Sequence, residues 1–215
     1  MRIKTLIPSI LFVVVSVLHV IGLKMDYGLA FATKPMIMIT LIVLYVAGTS
    51  RFRFLYFFGM VFSLIGDVLL DFDDWFFMYG LIAFLLAHVC YIAVSSKFLP
   101  KISALKVLIH SLPFLAIYGT LLYIIYPNLG GLLIPVIVYG VVISTFGIIA
   151  FLVYTQNKSK ENLWLFLGAF IFIISDSILA LNKFHESSEF LSLAIMITYI
   201  FAQYLICRAM IERSK

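Results

Sequence analysis

A chain of 215 residues that is 64% hydrophobic and only 12% charged, with a mean hydropathy of +1.17, lies far from the roughly one-quarter charged usage of soluble domains. This excludes a soluble domain and points to an integral membrane protein with one membrane domain over residues 1–215, since no linker or low-complexity stretch interrupts it. The net charge of +5 does not mark a nucleic-acid partner, because the basic residues come in twos and threes between apolar runs rather than on one face or tail.

Apolar windows long enough for a ~30 Å hydrocarbon core predict transmembrane helices at about 6–23, 35–50, 54–70, 75–95, 107–126, 132–154, 163–181 and 190–210. The fold class is therefore an all-α polytopic bundle of about eight helices. The second window is the shortest and the turn Tyr-Pro-Asn-Leu-Gly-Gly between the fifth and sixth is tight, so seven spans stand as the alternative. Unbroken runs of this length lack the alternation of a membrane barrel. Arg2 and Lys4 ahead of the first run resemble a signal peptide, with Ala30-Phe31-Ala32 as a formal cleavage site. The run is long for a signal core and Lys24 and Asp26 intervene, so an uncleaved first helix is expected. Lys34-Pro35 reads as the opening of the second helix, proline being suited to a first turn.

In the third span Gly59, Ser63, Gly66 and Asp67 fall at i+3, i+4 and i+7 spacings, a small-residue face that allows close packing and aims Asp67 inward. The acids Asp71, Asp73 and Asp74 that follow lack a calcium-loop pattern and read as a solvated turn. His88 lies mid-span with Tyr91 at i+3, either a packing residue or a proton carrier. Cys90 and Cys207 fall within spans without metal or redox spacing and read as packing residues. Tyr139 on the sixth helix and Tyr199 with Gln203 on the eighth add interhelical hydrogen-bonding groups. The seventh span carries Asp176 between Ser175 and Ser177, whose hydroxyls are in reach of it, and then Asn182 and Lys183. His19 and His110 fall near opposite ends of the membrane and His185 in an outer loop, so no zinc site and no cofactor are expected.

Eight spans with both termini cytoplasmic place 12 of the 15 basic residues inside: Arg2, Lys4, Arg51, Arg53, Lys97, Lys101, Lys106, Lys158, Lys160, Arg208, Arg213 and Lys215. Lys24, Lys34 and Lys183 stay outside, as the positive-inside rule favours. Short loops and a Lys-, Ile- and Phe-rich composition point to a bacterial inner membrane. An ionised aspartate at membrane depth costs ~3 kcal/mol or more at the bilayer centre, so such residues face the protein interior and mark function. Asp67 and Asp176 sit at similar depth under the outer interface and are the first candidates. Lys34 and Lys183 flank that level and suit a phosphate, with snorkelling as the bland alternative.

The stretches Ser-Leu-Ile-Gly-Asp-Val-Leu-Leu (63–70), Gly-Leu-Ile-Ala-Phe-Leu-Leu-Ala-His-Val-Cys-Tyr-Ile (80–92), Ser-Asp-Ser-Ile-Leu-Ala-Leu-Asn (175–182) and Thr-Tyr-Ile-Phe-Ala-Gln-Tyr-Leu-Ile (198–206) resemble the YhhN-like family of multi-pass membrane proteins, whose animal members are lysoplasmalogenases. The resemblance runs in order from Lys34 to about Ile206. It implies hydrolysis of the vinyl ether bond of a lysoplasmalogen to a fatty aldehyde and glycerophospho-ethanolamine or -choline, with membrane lipids as surroundings. The matching positions are Lys34, Gly66, Asp67, His88, Tyr91, Ser175, Asp176, Asn182, Tyr199 and Gln203. The three acids after Leu70 depart from the family pattern and would repel a phosphate.

The chemistry agrees with the residues. A vinyl ether hydrolyses when an acid protonates its β-carbon and water captures the resulting cation, so the reaction needs a proton donor and a base. Two neighbouring carboxyls in a low-dielectric site provide both, one holding the proton while the other stays ionised. Asp67 and Asp176 are the expected catalytic pair, supported by Lys34, Ser63, His88, Tyr91, Tyr139, Ser175, Asn182, Lys183, Tyr199 and Gln203. A proton-coupled transporter also uses buried acids and a histidine, though no Gly/Pro-broken helix pair or inverted repeat is evident. An intramembrane aspartyl protease fits less well, because Leu64-Ile65-Gly66-Asp67 lacks the first glycine of Gly-x-Gly-Asp. A lysolipid-binding membrane protein is the third alternative.

Overall fold

The computed structural model describes residues 3–72 and 74–215. Arg2, counted above among the inner basic residues, and Asp73 of the acidic trio lie outside the described residues, as does the side chain of Asp74. Eight α-helices are described: α1 (Ile3–Met25), α2 (Tyr27–Gly48), α3 (Phe54–Leu70), α4 (Phe77–Ser95), α5 (Ala104–Ile125), α6 (Leu133–Gln156), α7 (Lys160–Phe184) and α8 (Glu189–Glu212). Seven are long and apolar enough to cross a membrane, and α3, at 17 residues, is the shorter eighth. The short helix is thus the third and not the second. The chain is an all-helical integral membrane protein.

The difference at α2 has a local cause. Asp26 caps the helix, its Oδ1 accepting from the Gly28 amide at 2.9 Å and the Leu29 amide at 3.3 Å, which satisfies two of the donors a helix start leaves bare. The helix therefore begins at Tyr27, and Pro35 sits inside it rather than opening it. Proline there only removes the bond its nitrogen would have donated to the Phe31 carbonyl.

Neighbouring helices pack as α1 with α2, α3 with α4, and α7 with α8, while α4, α6 and α7 join these pairs and α1 touches α8 only sparsely. Glycines set the closest approaches. A Cβ at Gly59 would stand 2.4 Å from Tyr91 Cε1 and one at Gly66 2.5 Å from Phe84 Cδ2, so the small face of α3 is what lets α4 lie against it. At Gly168 a Cβ would meet Ile206 Cγ1 at 2.7 Å and the Ala202 carbonyl oxygen at 3.0 Å, backbone to backbone between α7 and α8. Tyr45, Tyr56, Tyr91, Phe146 and Phe172 are fully buried between the helices. The turn between α5 and α6 is two short 3-10 turns, Tyr126–Asn128 and Gly130–Leu132. Asn128 Nδ2 donates to the Phe184 carbonyl at 2.7 Å and so ties that turn to the end of α7.

Candidate active site

Asp67 comes from the buried face of α3 and is 2% exposed. Its Oδ2 accepts from the Tyr199 hydroxyl of α8 at 2.7 Å. The Tyr199 oxygen in turn accepts from Gln203 Nε2 at 3.3 Å, and Gln203 Oε1 accepts from the Tyr91 hydroxyl of α4 at 3.2 Å. Ser63 Oγ lies 3.3 Å from the Tyr91 oxygen. Because the Tyr91 proton is committed to Gln203, Ser63 is the donor in that contact. Four donors in series therefore point at Asp67, and the chain of bonds leaves α3 at Ser63 and returns to it one turn later.

Asp176 of α7 is partly exposed, and its Oδ2 accepts from the Tyr139 hydroxyl of α6. Ser175 and Ser177 do not hold it. Ser175 Oγ donates to the Ile195 carbonyl at 3.0 Å and Ser177 Oγ to the Ile173 carbonyl at 2.7 Å, the latter the usual back-bond of a serine inside a helix.

Both acids line one cavity of about 220 Å³, together with His19, Lys34, Ser175, Asn182 and Tyr199. A second space of about 180 Å³ lies next to it, sharing Leu70, Leu179 and Asn182 and bounded also by Lys183 and Ser187. Lys183 Nζ stands 5.0 Å from the centre of the Phe77 ring, within cation–π range. Asn182 Oδ1 accepts from the Ser188 amide at 2.9 Å, so this residue also fixes the turn between α7 and α8. Along the outer side of α1 and α8 runs an apolar groove of about 420 Å³ between Phe12, Val17, Val20, Ile200, Phe201 and Tyr204.

Two expectations change here. Asp71 is not in a solvated turn: it pairs with Lys34, their side chains 19% and 12% exposed. The ammonium proposed for a phosphate is thus already engaged by one of the acids thought to repel it. Removing one partner strands a charge with little water around it, so Lys34→Met is expected to lower stability by about 3 kcal/mol. Lys34→Met with Asp71→Leu should recover much of that loss, read by thermal unfolding in detergent.

His88 is the second. Its Nδ1 donates to the Phe84 carbonyl at 2.8 Å, and its ring lies between Phe172, Tyr139, Phe146 and Tyr91 with centroids 4.7, 5.7, 5.9 and 6.2 Å away. It lines neither space described above. His88 stands behind the site, packed on the two tyrosines that feed the two acid networks. The histidine in the cavity wall is instead His19, which the sequence places near one end of the membrane but not among the site residues. Its signal was Ser16 three residues earlier, a second polar group on the same face of an otherwise apolar helix. Among the described residues no group of three His, Cys, Asp or Glu side chains is placed to hold a metal ion.

The YhhN family matches residues 29–210. Lysoplasmalogenase TMEM86A of Homo sapiens is 31% identical over 163 residues, covering 73% of this chain and 65% of the human protein. The Bos taurus protein of the same name is 30% identical over the same shares. A protein of Mycobacterium tuberculosis named lysoplasmalogenase is 31% identical over 153 residues, 69% of this chain and 57% of its own length. The chain thus spans 57% to 65% of the length of these relatives. No solved structure matches it. With a family match over most of its helices, including those that carry both acids, the chain belongs to the YhhN family.

Proposed function

We propose that this protein is a lysoplasmalogenase-like hydrolase that opens the vinyl ether of a 1-alkenyl lysophospholipid by two-carboxyl acid–base catalysis. One observation carries the reading: Asp67 and Asp176, from different helices, line one cavity and each receives a tyrosine hydroxyl. The names of the relatives support the substrate class.

In the first step one carboxyl gives its proton to the β-carbon of the double bond, whose electron pair forms the new C–H bond and leaves an oxocarbenium ion. The second carboxylate stabilises that cation and takes a proton from the water that adds to it. The hemiacetal then collapses: its hydroxyl returns a proton to the first carboxylate as the aldehyde carbonyl forms, the C–O bond to glycerol breaks, and the second carboxyl gives its proton to the glycerol oxygen, which restores both acids. The tyrosine donors hold one oxygen of each carboxyl, which leaves the other to work on substrate. The lipid head group fits the space beside Lys183 and Asn182. The apolar groove on α1 and α8 suits the alkenyl chain: its residues Val20, Ile197 and Ile200 adjoin in sequence His19, Met196 and Tyr199 of the cavity wall. We place the protein, as one membrane domain, in a bacterial cytoplasmic membrane on the strength of its short connections and composition.

The test is aldehyde release from 1-alkenyl-lysophosphatidylethanolamine and its choline counterpart by purified protein in detergent micelles, where no proton gradient exists. Steady release that a chelator does not alter is expected. A folded protein that releases no aldehyde, yet moves protons with a solute in sealed vesicles, would replace the hydrolase by the transporter.

A further inference from the structure

We propose that His19 is a specificity-determining residue that recognises the free hydroxyl on the middle glycerol carbon of the lysolipid; this rests on the hydrolase reading above. His19 lies in α1, is 1% exposed, and forms part of the wall of the cavity that holds both acids. Its Nδ1 is 3.0 Å from the Ala30 carbonyl oxygen and 3.2 Å from Thr33 Oγ1. A carbonyl cannot donate, and the Thr33 hydroxyl spends its proton on the Leu29 carbonyl at 2.7 Å, so Nδ1 carries the hydrogen. In the neutral ring Nε2 then bears a bare lone pair. That atom is buried and has no hydrogen-bond partner among the described residues.

A buried polar atom without a partner is costly, and of the residues that carry one among those described, His19 is the one that lines this cavity, where a ligand can complete it. A lone-pair nitrogen asks for a hydroxyl or amine. The protein's nearest ammonium, Lys34, is bonded to Asp71. The substrate offers a donor in the right place: the ether to be cleaved sits on the first glycerol carbon and the phosphate on the third, so the 2-hydroxyl lies between the acids and the head-group space. An acyl ester at that carbon has no proton to give and adds a second chain to a cavity of about 220 Å³. His19 thereby separates lyso from two-chain lipids. It belongs to α1, ahead of the family match at residues 29–210.

The experiment compares kcat/KM for 1-alkenyl-lysophosphatidylethanolamine and for its 2-deoxy analogue, in the wild type and in His19→Asn, His19→Ala and His19→Gln. Asparagine keeps a donor for the Ala30 carbonyl but has no far acceptor, alanine has neither, and glutamine places an amide oxygen near the site of Nε2. A hydroxyl-to-deoxy ratio of about tenfold, the size of one hydrogen bond, is expected in the wild type and in His19→Gln. It should fall to near one in His19→Asn and His19→Ala. A wild-type ratio near one, or the wild-type ratio retained in either truncated variant, overturns the assignment whatever the absolute rates. Failure of the folded wild type to release aldehyde from either lipid overturns the hydrolase reading and this inference together.

Discussion

Replacing Asp67 or Asp176 by asparagine is expected to lower aldehyde release about a thousandfold, the range in which general acid–base groups act. Asparagine is the right probe because it keeps the shape and an oxygen for the tyrosine donor. Asp67→Asn still accepts from Tyr199 and Asp176→Asn from Tyr139, so neither network collapses. The double variant should be hardly worse than either single one, since acid and base serve one transition state and their losses do not add. Tyr199→Phe occupies a middle rank. It removes one donor to Asp67 and leaves the Gln203 amide without its acceptor, so a loss of about tenfold is expected. Single-turnover rates on protein that elutes as a monodisperse species decide the matter. A single aspartate variant that retains most of its rate would remove that carboxyl from the mechanism.

Gly168→Val is expected to be the most damaging of the simple packing changes. The added Cβ would press on backbone atoms of α8, with the Ala202 oxygen at 3.0 Å and the Ile206 nitrogen at 3.0 Å, and backbone cannot turn aside as a side-chain tip can. Overpacking of this kind costs about 3 kcal/mol at its upper usual range. The helices forced apart are also those that carry Asp176 and Tyr199, so hydrolysis should fall alongside the unfolding temperature. Gly168→Ala should show the same trend more weakly. An unchanged melting temperature for Gly168→Val in detergent would mean that α7 and α8 do not pack this closely in the membrane.

What could be read beforehand from the sequence, and what could not, divides along a physical line. Asp67 and Asp176 stood out because a charged group in an apolar run is expensive wherever it sits, and the Gly59, Ser63, Gly66 and Asp67 face followed from helical spacing alone. Those are properties of a single helix. The pairing of Asp67 with Tyr199 and of Asp176 with Tyr139 depends on which helices become neighbours, and hydropathy carries no such information. The same gap explains the exchange of His88 for His19 in the cavity wall: depth along a helix is legible, whereas the direction a face looks is settled by its neighbours. Serines 175 and 177 were misassigned because a hydroxyl inside a helix finds the carbonyl of its own turn, or of the adjoining helix, before it finds an acid. The start of α2 was misplaced because the capping power of Asp26 outweighs the preference of Pro35 for a first turn.

The crossing of partners along the chain has a consequence for how the protein is made. Asp67 is synthesised early, on the third helix, yet the tyrosine that bonds it lies on the eighth, 132 residues later. During biosynthesis six of the helices, and with them most of the hydrophobic surface, are in the bilayer before either network is complete: Asp176 waits for α7 to meet α6, and Asp67 for the last helix of all. Until that helix arrives, the membrane holds a helix bearing an acid without its tyrosine donor, which is costly at membrane depth. Arrival of α8 then gives Asp67 its donor and closes the cavity that holds both acids in one event.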